Sequence, residues 1–188
     1  MKIFAFLITY ILLLIFTSCE AENEYSTWPC RFAYDNSVHQ DAALSSCMDV
    51  NVPGMFCLIT ESVRGGVKYL NFKTNHNMTS SQTETEAEKR AEYILGLNNG
   101  IIVGFGALSS PPVFYAFDRE CPNCFDPEAI PIKSRPLSMG VNGIATCGVC
   151  HRQYDLNNNG FISSGENGKR LTRYRASTTG PFGVLTVN

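Results

Sequence analysis

The segment Val113-Phe-Tyr-Ala-Phe-Asp-Arg-Glu-Cys-Pro-Asn-Cys124 passes from an apolar, strand-like run into a closely spaced pair of cysteines. A second pair with the same spacing, Cys147-Gly-Val-Cys150, follows after residues 125–146. A short spacer lets both sulfurs of a pair face one point, and two such pairs supply the ligands of a tetrahedral metal site. We therefore predict that one metal centre is bound by Cys121, Cys124, Cys147 and Cys150.

Short strand-like runs and turn signals surround these cysteines. Asn-Gly is the strongest short-range signal for a hairpin. It occurs at Asn99-Gly100, Asn142-Gly143, Asn159-Gly160 and Asn167-Gly168, and Arg64-Gly65-Gly66 is a further turn signal. The strand-like runs are residues 55–60, 67–74, 101–105, 113–118, 143–146, 171–176 and 184–187. Many short strands at close spacing predict an all-β protein, built as an antiparallel sandwich or barrel.

One segment has helical periodicity instead. Between Ser81 and Leu95, apolar residues recur at helical spacing among charged ones, and Ser81 or Thr83 is available as the N-cap. We predict one surface helix here, ended by Gly96 and preceded by a polar loop over residues 71–81. The fold is thus expected to be β-rich with one surface helix.

The order of motifs in the second half of the chain resembles that of the Rieske domain. It begins with the strand that ends in Phe-Asp-Arg-Glu-Cys121-Pro122 and continues with Gly143-Ile-Ala-Thr-Cys147-Gly-Val-Cys150. Further matching segments, within about residues 100–188, are Tyr154-Asp155-Leu156, Leu171-Thr-Arg-Tyr174 and Gly183-Val-Leu-Thr-Val187. The resemblance implies one Rieske-like domain over residues 28–188, an antiparallel β fold with a two-loop, zinc-ribbon-like metal lobe at about residues 118–152.

The chain departs from this family at the metal ligands. A Rieske [2Fe–2S] centre is held by cysteines and histidines, whereas Cys124 and Cys150 stand where the histidines are expected. Four thiolates without histidine suit a single tetrahedral ion, and closed four-sulfur sites are typically structural Zn²⁺ sites. The alternatives are a rubredoxin-like Fe or a four-cysteine [2Fe–2S] cluster, either of which would make an electron-transfer protein. Oxidation of each pair to a local disulfide, with no metal bound, also stays open.

Two other cofactors are disfavoured by their sequence context. Cys147-Gly-Val-Cys150-His151 has the form of a c-type haem attachment site, but no helical periodicity follows it and the first cysteine pair is left unexplained. Residues 155–166 have the spacing of an EF-hand calcium loop, but only Asp155 and Glu166 bring carboxylates and no helices flank them. We therefore expect neither haem c nor Ca²⁺.

The N-terminus has the pattern of an export signal. Lys2 precedes an apolar run from Ile3 to Phe16, which has the length of a secretory segment and is too short to span a bilayer comfortably. An ordinary cleavage after Ala21 would release a soluble product from this segment.

A second interpretation of the same region predicts a lipid anchor. The sequence before Cys19 resembles the lipobox of bacterial lipoproteins, which implies a signal peptide over residues 1–18 and a lipid on Cys19. Residues 19–27 would form a short polar tether. The protein would then be exported and membrane-anchored on the periplasmic or cell-surface face, with an unidentified protein partner.

Three further cysteines could form a disulfide, because an exported protein lies in an oxidising compartment. Once Cys19 and the two pairs are assigned, Cys30, Cys47 and Cys57 remain. One disulfide among them would leave one free thiol, and the spacing does not choose the pair. The alternative is that all three are small buried side chains, since free cysteine is among the most buried residue types.

Composition excludes some function classes. The net charge of −2, with 17% charged residues of both signs, is too mild for a nucleic-acid partner. No catalytic triad, Gly-rich phosphate loop or acid pair is recognisable, and His39 and His76 stand in polar surroundings typical of surface histidines. We therefore expect a protein that is not an enzyme, either a binding or structural module stabilised by zinc or an electron carrier.

Overall fold

The computed structural model describes residues 23–188. The predicted signal peptide, the lipidation site at Cys19 and the first residues of the tether lie outside the described residues, so they stay predictions. Within residues 23–188, none of the helices combines the length and the apolar character needed to cross a bilayer.

Thirteen strands and three short helices make up the described part of the chain. The strands are β1 (Phe32–Asp35), β2 (Phe56–Arg64), β3 (Val67–Thr74), β4 (Thr79–Thr83), β5 (Ile101–Phe105), β6 (Phe114–Asp118), β7 (Leu137–Met139), β8 (Ile144–Cys147), β9 (Gln153–Asp155), β10 (Phe161–Ser164), β11 (Arg173–Tyr174), β12 (Ala176–Thr178) and β13 (Val184–Val187). The helices are α1 (Asn36–His39), α2 (Ala42–Cys47) and α3 (Glu86–Ala91).

The strands form three antiparallel sheets. The central sheet has six strands in the order β11-β6-β5-β2-β3-β4, the second has four in the order β10-β9-β8-β7, and the third has three in the order β1-β13-β12. Neighbouring strands are antiparallel throughout these sheets. None of the sheets in residues 23–188 closes into a barrel. The all-β prediction is therefore confirmed, with layered sheets in place of a barrel.

Strand β5 is buried on both faces and separates two hydrophobic cores. Successive side chains of a strand point to opposite faces, so Ile101 and Val103 enter the first core and Ile102 enters the second. The first core is shared by the central and three-stranded sheets and includes Phe32, Tyr34, Leu44, Ile59, Leu70, Phe72 and Leu185. The second core is shared by the central and four-stranded sheets and includes Phe56, Phe117, Cys121, Leu137, Ala145, Cys147, Tyr154 and Leu171.

Three of the predicted turns join paired strands. Gly65-Gly66 connects β2 to β3, Asn142-Gly143 connects β7 to β8, and Asn159-Gly160 connects β9 to β10. Asn159 and Gly160 both have positive φ, at 53° and 68°, which is the backbone that this dipeptide favours. The hairpin prediction is wrong for Asn99-Gly100 and Asn167-Gly168, because the strands on either side of them are not paired with each other.

The predicted surface helix exists but is shorter. Helix α3 begins after Thr85, whose hydroxyl accepts a hydrogen bond from the N–H of Glu88, while the Glu88 carboxylate accepts one from the N–H of Thr85. The N-cap prediction is wrong, since Ser81 and Thr83 lie in β4 and pair with β3. The predicted loop over residues 71–81 is confirmed only for residues 75–78, since residues 71–74 belong to β3 and residues 79–81 to β4. A polar edge strand such as β4 has no apolar alternation by which to recognise it.

The three remaining cysteines are buried, free thiols. Cys30, Cys47 and Cys57 all belong to the first core, and none of them is in a disulfide in the structure. Cys57 lies against Cys47, and burial raises the pKa of its thiol, as does this neighbour. Cys30 lies beside the backbone of Gly96. Their burial is what the interpretation of them as small buried side chains expects.

One of the two histidines expected at the surface is buried. The side chain of His39 is only 8% exposed, and its Nε2 lies 3.0 Å from both carboxylate oxygens of Glu88. Its ring also stacks on Tyr34, with 4.7 Å between the ring centroids. The surface prediction is therefore wrong for His39, whereas His76 is exposed as expected.

A buried carboxylate joins the end of β6 to the neighbouring elements. Asp118 accepts hydrogen bonds from the N–H of Leu97 at 2.7 Å, from the N–H of Glu120 at 2.7 Å and from the Tyr174 hydroxyl at 2.8 Å. Burial raises the pKa of Asp118, and these three donors oppose that effect. The chain runs from Asp118 directly into Cys121, so this cluster fixes the start of the first cysteine loop.

We expect Tyr174→Phe to lower the free energy of unfolding by about 1–3 kcal/mol, because it deprives a buried carboxylate of a donor. Chemical denaturation followed by circular dichroism measures the change. The matched control is Tyr69→Phe, which removes a hydroxyl from a half-buried ring but keeps its stacking under Arg64. Equal unfolding free energies for the two variants would contradict the role assigned to Asp118.

Candidate metal centre

The structure brings the four predicted ligands together. The sulfurs of Cys121, Cys124, Cys147 and Cys150 all lie within 4.8 Å of one another. Two of the contacts between the pairs measure 3.7 Å, from Cys121 to Cys150, and 3.9 Å, from Cys124 to Cys147. A tetrahedral ion with metal–sulfur bonds of about 2.3 Å has sulfur–sulfur edges of about 3.8 Å. The arrangement therefore fits one tetrahedral metal ion.

The first cysteine loop is a tight turn at the end of β6. The carbonyl of Cys121 accepts hydrogen bonds from the N–H of Cys124 at 3.1 Å and from the N–H of Phe125 at 2.9 Å. This turn folds the backbone so that both cysteines face the same side. The N–H of Asn123 also points at the sulfur of Cys121 and favours its thiolate form.

The second cysteine loop is a similar turn between β8 and β9. The N–H of His151 donates to the carbonyl of Cys147 at 3.1 Å, and the N–H of Val149 donates to the Cys147 sulfur at 3.4 Å. His151 adopts a φ of 60° and closes the turn. Its side chain is exposed to solvent. Both loops thus aim a backbone N–H at their first sulfur, which stabilises a negative charge there.

The site has a buried side and a solvent-facing side. Cys121 and Cys147 are at most 1% exposed and belong to the second core. Cys124 and Cys150 are partly exposed and pack on the edge of that core. A bound ion would therefore be shielded on one side and close to solvent on the other.

The pKa values of Cys121, Cys124 and Cys150 are shifted in different directions. Burial raises the pKa of Cys121, and it raises the pKa of Cys124 to about 12 with a contribution from the neighbouring cysteines. Burial opposes ionisation of Cys150 too, but hydrogen bonds from the backbone and guanidinium of Arg152, together with those from Cys124 and Cys147, lower the pKa of this thiol to about 6. Metal ligation requires thiolates, so binding must release protons from Cys121 and Cys124, whose pKa values are raised.

Tyr154 supports the most buried ligand. Its hydroxyl lies 3.2 Å from the sulfur of Cys121 and accepts a hydrogen bond from Asn123 Nδ2 at 2.9 Å, so its own proton is directed at the sulfur. Asn123 is held in turn by the backbone of Lys169, with Nδ2 donating to the carbonyl at 2.7 Å and Oδ1 accepting from the N–H at 2.9 Å. Residues outside the two cysteine loops thus position the first sulfur.

A buried acid anchors the connection between the loops. Glu120 is 1% exposed, and its carboxylate accepts hydrogen bonds from the hydroxyl of Ser134 at 2.6 Å, from the side chain of Asn98 at 2.9 Å and from the N–H of Arg135. The carbonyl of Arg135 accepts a hydrogen bond from the N–H of Cys121 at 2.9 Å. The connection over residues 125–136 is therefore tied back to the start of the first loop.

The residues of the EF-hand-like spacing have other roles in the fold. Asp155 ends β9, and its side chain accepts a hydrogen bond from the N–H of Asn157 at 2.9 Å in the turn to β10. Glu166 pairs with Arg152, with 3.1 Å between Oε2 and Nη2. Asp155 thus shapes the hairpin of β9 and β10, and Glu166 holds Arg152, whose side chain contacts Cys150.

Several supporting residues were not predicted. In the sequence, Tyr154 belongs only to the Rieske-like order of motifs, and its contact with Cys121 depends on the pairing of β9 with β8. Glu120 and Asn123 have no local signal, since each reads as an ordinary loop residue in the sequence. Their partners lie far along the chain, at residues 98, 134 and 169.

Comparison of the chain with protein-family models, with curated proteins and with solved structures gave no match. The assignment of this site therefore rests on the ligand geometry and on the motifs of the chain itself.

We expect Tyr154→Phe to weaken metal retention by about 10- to 100-fold, because it removes the hydrogen bond that stabilises the Cys121 thiolate. The rate of metal transfer to a chromophoric chelator measures the effect. A suitable control is Tyr34→Phe, which removes a fully buried hydroxyl that has no hydrogen-bond partner and lies in the first core. A similar loss of metal retention in both variants would show a general effect of destabilisation.

Proposed function

We propose that the chain is an exported, lipid-anchored Rieske-like protein whose four cysteines bind one structural Zn²⁺. The observation that carries the proposal is the convergence of two loops from different sheets on a single four-sulfur site. Cys121 follows β6 of the central sheet, and Cys147 ends β8 of the four-stranded sheet. An ion at this point would cross-link the two sheets that enclose the second core.

A mononuclear ion is favoured over a two-iron cluster by the spacing of the sulfurs. A [2Fe–2S] cluster distributes its four cysteines over two irons, so its outer sulfurs lie well apart. Here all four sulfurs lie within 4.8 Å of one another, and sulfurs of different pairs approach to 3.7 Å and 3.9 Å. Zinc is the preferred ion, because closed four-sulfur sites are usually structural zinc sites and metal binding contributes directly to folding.

The second candidate function is electron transfer through a rubredoxin-like Fe, with a four-cysteine [2Fe–2S] cluster as the less favoured form. Proteins tune the reduction potential of an iron–sulfur centre through hydrogen bonds to its cysteine sulfurs and through the solvent exposure of the centre. Tyr154 and Val149 both direct donors at ligand sulfurs. The partly exposed Cys124 and Cys150 would bring the centre close to a partner protein.

The Rieske-like part of the proposal is supported by the place of the motifs in the fold. The motif strand that ends in Phe117-Asp118 is β6, and it leads into the first cysteine loop. The motif strand before the second cysteine loop is β8. The resemblance implies a metal lobe formed by two loops, and the two cysteine loops do come together. The second of them lies between β8 and β9 of the four-stranded sheet.

We expect protein purified from its native compartment to be colourless and to carry one zinc per chain. Elemental analysis with a visible spectrum measures this, and Cys147→Ser should remove the zinc and lower the melting temperature. Cys30→Ser is the matched control, because it alters a buried thiol outside the site. Iron with a reversible reduction would favour the electron-transfer alternative, and a disulfide joining Cys121 to Cys124 would overturn both.

Removal of the metal should loosen one core more than the other. Chelation is expected to raise hydrogen exchange in β7, β8 and β9, because the second core contains two of the ligands. Exchange in β3 should stay close to that of the metal-bound protein, since β3 contributes to the first core. Hydrogen exchange with mass spectrometry measures both regions in one sample, and uniform deprotection would contradict a local structural role.

A further inference from the structure

The described chain begins with a segment that is bound to the domain. Residues 23–27 belong to the predicted tether, yet the N–H of Ser26 donates to the carbonyl of Arg173 at 2.7 Å. The carboxylate of Glu24 forms an ion pair with the guanidinium of Arg173. The centroid of the Tyr25 ring lies 4.9 Å from the guanidinium carbon of Arg173 and 4.7 Å from that of Arg175. This part of the predicted tether is therefore a docked segment.

Arg173 is the buried centre of this contact. Its side chain is 8% exposed, and its guanidinium lies between the rings of Tyr25 and Tyr115. Its Nη1 also donates to Asn159 Oδ1 at 2.7 Å. A stacked and paired arginine of this kind holds the segment in one position, so the direction in which the chain leaves the domain is set by the fold.

Basic and aromatic side chains surround the docked segment. Residues 23–28 and 169–173 line a cavity of about 350 Å³, at whose rim Trp28 is 47% exposed. Lys169 is exposed, and the guanidinium of Arg170 lies over the ring of Phe161, which is also 47% exposed. We call Trp28, Phe161, Lys169 and Arg170 the basic-aromatic patch.

We propose that the basic-aromatic patch rests on the surface of a bilayer that contains anionic phospholipid. This inference depends on the lipid anchor at Cys19 that forms part of the proposed function. Cys19 precedes Asn23 by four residues, which span at most about 14 Å when fully extended. A lipid on Cys19 would therefore hold the docked segment, and the patch beside it, close to the headgroups.

The chemistry of the patch matches such a surface. Tryptophan is enriched at membrane–water interfaces, because its ring is apolar and its N–H is polar. Lysine and arginine side chains are attracted to an anionic leaflet. Glu24 is already paired with Arg173, and the acids Glu20 and Glu22 belong to the connecting segment. The attraction therefore comes from the folded patch.

The same contact would orient the metal centre. The backbone of Lys169 is held by Asn123, which lies within the first cysteine loop. A domain resting on Lys169 and its neighbours would thus keep this loop on the membrane side. A partner that reaches the centre would then approach along the bilayer surface.

The experiment uses the full, lipid-bearing protein reconstituted in phosphatidylcholine vesicles that contain phosphatidylglycerol. Trp28 is the single tryptophan of the chain, so its fluorescence reports on the patch alone. We expect brominated phospholipid to quench it. Combined Lys169→Glu and Arg170→Glu substitutions should lower the quenched fraction at least about twofold while the lipid keeps the protein on the vesicle.

The matched control is Lys73→Glu, an exposed basic residue in β3, near the opposite edge of the central sheet from β11. Thermal unfolding is measured for both variants, so that quenching is compared only between folded proteins. Unquenched Trp28 in a lipid-bearing, vesicle-bound protein would overturn the inference and leave the anchor intact. If mass spectrometry finds no lipid on Cys19, the anchor fails and the inference fails with it.

Discussion

The packing of the four-stranded sheet against the central sheet is the constraint on which the metal site depends. Each sheet contributes one cysteine loop, and neither loop alone holds more than two sulfurs. The second core joins the sheets through side chains such as Ile102, Phe117 and Ala145, with Cys121 and Cys147 among them. Apolar burial therefore brings the sulfurs within ligating distance, and a bound ion would in turn hold the sheets together. Folding and metal binding favour the same arrangement, which is the physical meaning of a structural site.

The surroundings of the sulfurs decide what such an ion can do. Backbone N–H groups and the Tyr154 hydroxyl stabilise thiolate charge on the buried side, and Arg152 does so at Cys150. These contacts serve a structural zinc by favouring the ligand form of cysteine, and they would equally tune the potential of an iron. The geometry of four sulfurs is common to both ions, so the identity of the metal separates the two functions. Partial exposure of Cys124 is the feature through which an iron at this site would exchange electrons with a partner.

The N-terminal segment and the metal lobe meet on residues 169–173. Arg173 binds Glu24 and Tyr25, while the backbone of Lys169 binds Asn123. An anchored chain with a freely moving tether would sample every orientation at the membrane. A docked segment restricts those orientations, because the point at which the chain leaves the domain is fixed by an ion pair and by stacking. The position of the metal centre relative to a bilayer would then follow from the fold.

The sequence by itself determined the ligand set, the β-rich class and three of the hairpins, because each depends on local spacing. A two-residue spacer, a positive-φ dipeptide or a period-two run acts through neighbours along the chain. The tertiary structure alone decided the sheet order, the burial of His39 and the roles of Glu120, Asn123 and Tyr154. These depend on partners far away in sequence, such as Glu88 for His39 and Lys169 for Asn123. Edge strand β4 escaped prediction because backbone pairing, with little apolar burial, holds it in place. The sequence thus named the four sulfurs, and only the packing of two sheets made them one site.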